Sequence, residues 1–208
     1  IDRPIQQIEF NALRFDAAIA AKDDKLVASL LLDLSELIVA EFKPDETAER
    51  VQGDMTRDCL MDAWLNGRVR EYLTRVQPEA REYFEAQLKA HLVGKESGSS
   101  ELIQRILTHF DGMDAAESLR KVLGERYLRE KELGLVETNA LGRFQSDLAG
   151  LQQLSIPRLL MLADAYQEGD MPRNTLSVVQ EIDSRSEEVS EQDKKLVDII
   201  RSEATQAV

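Results

Sequence analysis

The sequence predicts an all-α protein, and two observations carry that prediction. Apolar residues recur at helical spacing along the 208-residue chain, and no segment shows the sustained two-residue alternation of a strand. The five prolines stand at or just before the start of apolar runs, where a missing amide hydrogen costs nothing. These patterns predict about eleven helices joined by short turns. Short turns favour mostly antiparallel packing in one or two bundles.

The N-terminal part is predicted to fold around one central helix. Residues 24–42 are apolar over much more than one stripe, so this helix should be surrounded by others. Asn66-Gly67 is a strong stop signal and should separate two later helices. The predicted N-terminal helices cover residues 5–21, 24–42, 44–65, 68–76 and 78–93.

A small, polar stretch with two glycines, GKESGSS at residues 94–100, is the only linker-like segment. It divides the chain into two predicted helical subdomains, residues 1–93 and 101–208. In the second, Asp114 and Glu117 form a capping-box pattern, and Thr138 is predicted to cap a helix that opens at NALGRFQSDLAGLQQL. The predicted helices here cover residues 101–110, 114–132 and 139–154, then begin near 157, 172 and 191.

The charge excludes some classes of partner. A formal net charge of −13 and a pI near 4.7 repel phosphate backbones and anionic membrane surfaces, so no nucleic-acid binding is expected. The most apolar run, residues 26–42, contains three acidic residues and is a core helix rather than a membrane span. The single cysteine, Cys59, excludes an intrachain disulfide and fits a reducing, cytoplasm-like environment best, although the compartment itself is unknown.

The sequence offers few groups for catalysis. His91 and His109 fall in the last turns of their predicted helices, where the negative end of the helix dipole explains them without a function. Cys59 lies among apolar residues and is interpreted as a small buried hydrophobe. No nucleotide-binding loop, nucleophile elbow or zinc spacing is present, so no enzyme activity, cofactor or metal is predicted.

Two candidate partner surfaces stand out. The first is a basic and aromatic group, Trp64, Arg68, Arg70 and Tyr72, made of residue types that often dominate interface energetics. The alternative is that Trp64 packs in the N-terminal core and the arginines neutralise acidic helices.

The second surface is the stripe Leu141, Phe144, Leu148 and Leu151, at alternating spacings of three and four. It covers only about two heptads, and Gly142 and Gly150 would allow close packing within one domain. Homodimer contact through this helix or through the C-terminal helix is the alternative.

These features together predict a non-enzymatic protein–protein interaction module, a scaffold, regulator or effector domain that presents helix faces to a protein partner. The alternative is a helical-hairpin adaptor or chaperone that binds a basic or amphipathic peptide. Leu162, Ala163, Tyr166 and Gly169 resemble the first helix and turn of a tetratricopeptide repeat, but the tyrosine-to-glycine spacing is one residue short and no second copy occurs upstream.

Overall fold

The structure, a computed structural model, describes residues 4–44, 47–48, 59–142 and 148–207. Ten α-helices make up most of this part, so the predicted all-α, multi-helix fold class is confirmed. They are α1 (Pro4–Ala21), α2 (Asp24–Glu41), α3 (Met61–Arg75), α4 (Pro78–Leu92), α5 (Ser100–His109), α6 (Glu117–Arg129), α7 (Leu133–Leu141), α8 (Ile156–Glu168), α9 (Pro172–Ser184) and α10 (Glu191–Gln206). The chain divides into two compact units, residues 1–119 and 120–208, and the division falls within α6.

Helix α2 is the centre of the first unit. Seven of its 18 residues are buried, and it packs against α1, α3, α4 and α5. The side chain of Asp23 caps its N-terminus by accepting a hydrogen bond from the amide of Leu26 at 3.1 Å. The prediction that this helix is surrounded is therefore confirmed, because a helix apolar on most of its circumference is stable only when neighbours cover it.

Helix α3 runs without a break through Asn66-Gly67, so the predicted helix stop at this dipeptide is wrong. The Asn66 side chain, which favours turns when it bonds to its own backbone, instead donates to the carbonyl of Thr108 at 2.6 Å, at the C-terminal end of α5. Buried Leu65 and Val69 continue the apolar stripe on both sides of the dipeptide. Tertiary contacts thus override a local turn signal.

A short antiparallel pair precedes α3. Strand β1 (Thr47–Ala48) pairs with strand β2 (Cys59–Leu60), with Thr47 opposite Leu60. The predicted helix over residues 44–65 is therefore wrong at β1 and β2, whereas its last residues, from Met61 onward, are helical. Most of the remainder of that prediction lies outside the described residues.

The segment predicted as a linker, residues 94–100, is a compact turn between α4 and α5. Gly94 adopts a left-handed conformation with φ of 82°, and Lys95–Ser97 forms one turn of 3-10 helix. The Ser99 side chain then caps α5 by accepting from the amide of Leu102 at 3.2 Å. The subdomain boundary placed at this stretch stays a prediction.

In the second unit, helices that follow one another in the chain contact one another: α7 with α8, α8 with α9, and α9 with α10. Helix α8 lies at the centre of this unit, because eight of its 13 residues are buried. Helices α8 and α9 each begin with a proline within their first two positions, as the proline spacing predicts.

The predicted helix over residues 139–154 is wrong. Helix α7 begins earlier, at Leu133, and ends at Leu141, so Thr138 lies inside a helix and does not cap one. Gly142 follows with φ of 53° and ψ of −125°, a conformation that side-chain-bearing residues rarely adopt, and this backbone turn ends the helix. Residues Leu148–Gln153 form a separate 3-10 helix.

Candidate functional site

An open groove in the first unit is a candidate binding site. Its volume is about 870 Å³, within the size range of ligand and peptide sites. One wall is the outward face of α4 and the other is the turn that leads into α6. We call it the α4 groove; it is lined by Pro78, Arg81, Glu82, Glu85, Ala86, Lys89, Leu92, Val93, Glu96, Asp114, Ala115 and Ser118.

The α4 groove combines an apolar floor with a predominantly acidic rim. We call its alanine, leucine and valine side chains the floor; Leu92 is buried, whereas Val93 is 77% exposed, the most exposed large apolar residue of the described chain. The rim carries the carboxylates of Glu82, Glu85, Glu96 and Asp114 and the cations of Arg81 and Lys89. An uncovered apolar floor with such a rim is typical of a surface that binds another molecule.

Glu85 fixes the two walls of the groove to each other. Its carboxylate accepts hydrogen bonds from the backbone amides of Asp114 at 3.2 Å and Ala115 at 2.9 Å. These amides begin the helical segment that leads into α6, where unpaired N–H groups and the positive end of the dipole favour a negative charge. Asp114 and Glu117 are predicted to cap this end, but the cap on these amides comes from α4.

Aromatic residues hold α4 against the rest of the first unit from below. Phe84, fully buried on the inner face of α4, makes an edge-to-face contact with Tyr72 of α3 at 6.0 Å between ring centroids. A second such contact, at 6.2 Å, joins Phe84 to Phe110 at the end of α5. Such aromatic pairs contribute about 0.5–1.5 kcal/mol each beyond the burial of their area, so they stabilise the packing of α4 against α3 and the end of α5.

A buried polar network lies deeper in the same unit. The imidazole of His109, which is fully buried, has Nε2 2.7 Å from Asp62 Oδ1 and Nδ1 2.8 Å from the Ser35 hydroxyl. Arg105 donates from Nε and Nη2 to Asp62, each at 3.0 Å. A carboxylate only accepts hydrogen bonds, so the proton on Nε2 of His109 points to Asp62 and, in the neutral ring, Nδ1 accepts from Ser35.

Arg105 also caps the C-terminal end of α2. It donates to the backbone carbonyls of Ile38 at 3.1 Å, Val39 at 3.2 Å and Phe42 at 2.7 Å. The last carbonyls of a helix lack partners within it, and a guanidinium satisfies several of them at once. The network therefore ties the end of α2 to α3 and α5.

The protonation of Asp62 follows from this arrangement. Burial alone would raise its pKa, but hydrogen bonds from His109 and Arg105 outweigh that effect and lower the pKa below the ordinary value of 3.8. Asp62 is thus a carboxylate at neutral pH and a permanent partner for Arg105.

The three residues in contact, Ser35, His109 and Asp62, are of the types that form a hydrolytic triad. Their burial and their positions on helices nevertheless favour a structural role. Ser35 lies inside α2 and is only 2% exposed, and the backbone amides around it donate hydrogen bonds within the helix. A hydrolase needs N–H donors directed at a developing oxyanion, which the interior of a helix does not provide. Arg105 further commits Asp62 to an ion pair.

A smaller hollow of about 300 Å³ opens beside Ser35, between α2 and the end of α4. At its mouth Glu36 Oε1 lies 3.2 Å from Lys95 Nζ and 3.7 Å from His91 Nε2. Burial lowers the pKa of His91, so the ring is mainly neutral at pH 7. Both histidines lie in the last turns of their helices, as the sequence analysis predicts.

The first predicted partner surface lies mostly inside the protein. Trp64 is 6% and Tyr72 2% exposed, and the Tyr72 hydroxyl donates to Asp24 at 3.2 Å. The Arg68 guanidinium stacks at 5.8 Å on the Trp64 ring and pairs with Asp16 at 3.3 Å, whereas Arg70 is exposed. The structure brings Trp64 and Arg68 together and separates them from Arg70; a partner-binding role for these residues stays a prediction.

The second predicted partner surface does not lie on one helix. Leu141 ends α7 and is half-buried, whereas Leu151 is buried and Leu148 begins the 3-10 helix that contains it. Phe144 lies outside the described residues. A partner-binding role for these residues also stays a prediction.

The α4 groove could not be found from the sequence, because the two segments that line it, residues 78–96 and 114–118, are apart in the chain and only tertiary contacts bring them together. The one sequence signal for it is a row of exposed positions on α4 at helical spacing, which any surface helix also shows.

The chain matches no family model, no curated protein and no solved structure. Among the described residues, no helix combines the length and apolar character that crossing a membrane requires. In the same ranges, no three His, Cys, Asp or Glu side chains group as a metal site would.

Proposed function

We propose that the protein is a non-enzymatic protein–protein interaction module, a scaffold, regulator or effector domain, and that its α4 groove holds a basic, amphipathic helical segment of a partner. The observation that supports this is the pairing of an exposed apolar floor with a rim in which four carboxylates outnumber two cations. An amphipathic helix with cationic flanks complements both features.

The dimensions of the groove suit a helix of a few turns. The face of α4 that lines it extends over most of the 15-residue helix, or about 22 Å at ~1.5 Å per residue. Covering Val93 alone removes a large apolar side chain from water, worth about 1.5–2 kcal/mol. The acidic rim and the net charge of −13 both attract a cationic segment and accelerate its encounter with the groove.

Titration of a fluorescent peptide tests the proposal. The probe is a synthetic helix-forming peptide of lysine and leucine with leucines on one face; its control has the same composition with the leucines scattered. We expect the amphipathic peptide to bind in the micromolar range and the scattered one at least about tenfold more weakly, because only the former can cover the apolar floor.

Two matched substitutions on α4 locate the binding site. Ala86 and Ala90 are both exposed, but only Ala86 lines the groove. Ala86→Gln fills the groove without changing charge and should weaken peptide binding at least about fivefold, whereas Ala90→Gln should leave it unchanged. Equal affinity for both variants and wild type would exclude the groove as the site.

The alternative, a helical-hairpin adaptor or chaperone, would place the peptide in the second unit, where consecutive helices pack in order from α7 to α10. Peptide binding that survives Ala86→Gln but is lost on substitutions in α8–α10 would favour it.

A further inference from the structure

Helix α1 is apolar on two opposite faces. Its inner face, Ile8, Ala12, Phe15 and Ala18, is buried against the first unit. Its outer face carries Phe10, Leu13, Ala17 and Ala20, which we call the outer stripe; Phe10 is 49% and Leu13 50% exposed, and both alanines are exposed. Helices of this kind are usually covered on both sides.

The outer stripe has the spacing of a coiled-coil seam. Its members follow at intervals of three, four and three residues, as a and d positions of a heptad do. In that frame Glu9 and Arg14 occupy the g and e positions on opposite flanks of the stripe. The charge on one flank is thus acidic, from Glu9, and the charge on the other is basic, from Arg14; Asp16, on the same flank as Glu9, already pairs with Arg68.

We propose that the outer stripe binds a second copy of this chain, with the two α1 helices parallel and in register. In a parallel pair the g flank of one helix meets the e flank of the other, five residues further on, so Glu9 of each copy meets Arg14 of the second copy. Two identical ion pairs therefore flank the seam. An antiparallel pair would place each flank against itself, acid against acid and Arg14 near its own counterpart.

The apolar residues fit the same arrangement. Phe10 and Leu13 fill the seam near the N-terminal end, and Ala17 and Ala20 let the two backbones come close near the other end. An 18-residue helix is about 27 Å long, so the contact lies at the small end of stable interfaces. The dimer is accordingly weak and depends on protein concentration. This surface is separate from the α4 groove, so the inference does not rest on the proposed function.

Sedimentation of the full chain over a wide concentration range, with charge-reversal variants, tests the ion pairs. Glu9→Arg and Arg14→Glu each bring like charges together and should raise the dimer Kd about tenfold; the double variant should restore it to near the wild-type value. If repulsion between the net negative charges of the two chains controlled the dimer instead, Glu9→Arg would strengthen it, because this change lowers the net negative charge. A wild-type chain that stays monomeric throughout, or a double variant that is weaker than both singles, would overturn the proposal.

Disulfide trapping tests the parallel register. In the full chain with Cys59→Ser, Ala17→Cys should form a linked dimer under mild oxidation much faster than Ala90→Cys, which places a cysteine on an exposed face of α4. When Leu13→Cys and Ala17→Cys proteins are mixed, each should link mainly to itself. Links mainly between positions 13 and 17 would show an antiparallel pair and contradict the proposal, as would equal rates for positions 17 and 90.

Discussion

Replacement of Arg105 by methionine is expected to destabilise the first unit strongly. The change keeps a long unbranched side chain but removes the charged partner of Asp62, leaving it only the His109 ring, and removes the donors to three carbonyls at the end of α2. Arg105 is 7% and Asp62 8% exposed, so water does not fully replace the lost bonds. Removing one member of a buried ion pair costs about 3–5 kcal/mol, a large share of the roughly 5–15 kcal/mol that stabilises a typical domain.

Urea unfolding followed by tryptophan fluorescence measures this cost, since Trp64 is the only tryptophan and lies on α3 beside Asp62. Arg75→Met is the matched control, because Arg75 is 66% exposed and its pair with Glu71 should contribute less than about 1 kcal/mol. Arg105→Lys keeps the charge without the planar fork and should fall between the two.

A double-mutant cycle with Asp62→Asn isolates the contact itself. The two residues bond directly, so the loss in the double variant should be smaller than the sum of the single losses by at least about 1 kcal/mol. If Arg105→Met costs no more than Arg75→Met, or if the two substitutions are additive, the network does not stabilise the fold as described.

Three further predictions concern pH and backbone conformation. The pKa of Asp62 is lower in the folded state than its unfolded-state value of 3.8. The Asp62 carboxylate therefore stabilises the fold fully at pH values above 3.8, and this effect is lost as the pH falls through the folded-state pKa. The difference in unfolding free energy between wild type and Asp62→Asn should accordingly shrink in acid. Burial, and then the charge of Glu168, raise the pKa of Asp164 from 3.8 to about 6. The stability that this carboxyl contributes in its neutral form is therefore lost as the pH rises through about 6. In thermal unfolding, Asp164→Asn should be more stable than wild type by about 1–2 kcal/mol at pH 8 and nearly equal to it at pH 4. Gly142→Ala should lower the free energy of unfolding by about 1–2 kcal/mol, because Gly142 has φ of 53°. Gly134→Ala, at a helical site with open space around it, should raise that free energy by about 0.5–1 kcal/mol. Equal effects of the two substitutions in urea unfolding would contradict the backbone argument.

Most of the helices were predictable from the sequence because interactions between residues close in the chain determine them. Proline at the start of α4, α8 and α9, and apolar residues at a 3.6-residue period, depend only on neighbours along the chain. The central position of α2, which packs against four other helices, was predictable for the same reason. The class of fold follows from such patterns because they repeat in nearly every segment.

The wrong 139–154 helix reflects a local backbone turn at Gly142, but other errors arose where a distant residue decides the local structure. Asn66 ends no helix because it donates to the end of α5, 42 residues away. Glu85 caps the segment that begins at Asp114 from a different helix. From the sequence, the helix dipole alone explains the position of His109, whereas its contacts with Ser35 and Asp62 depend on the packing of three helices.

The candidate site was the least predictable part for the same reason. Sequence patterns identify residue types that often bind partners, such as Trp64 and Tyr72, but the same types also form cores, and both are buried here. The floor of the α4 groove consists of alanine, leucine and valine, common residues that no composition rule distinguishes from an ordinary surface.

Amide chemical shifts of the isotope-labelled chain, recorded during titration with the amphipathic lysine–leucine peptide, test the central claim most directly. The account predicts that the saturating changes cluster at residues 78–96 and 114–118, the two walls of the α4 groove. Changes concentrated in α8–α10, or small changes spread over the whole acidic surface without saturation, would contradict it.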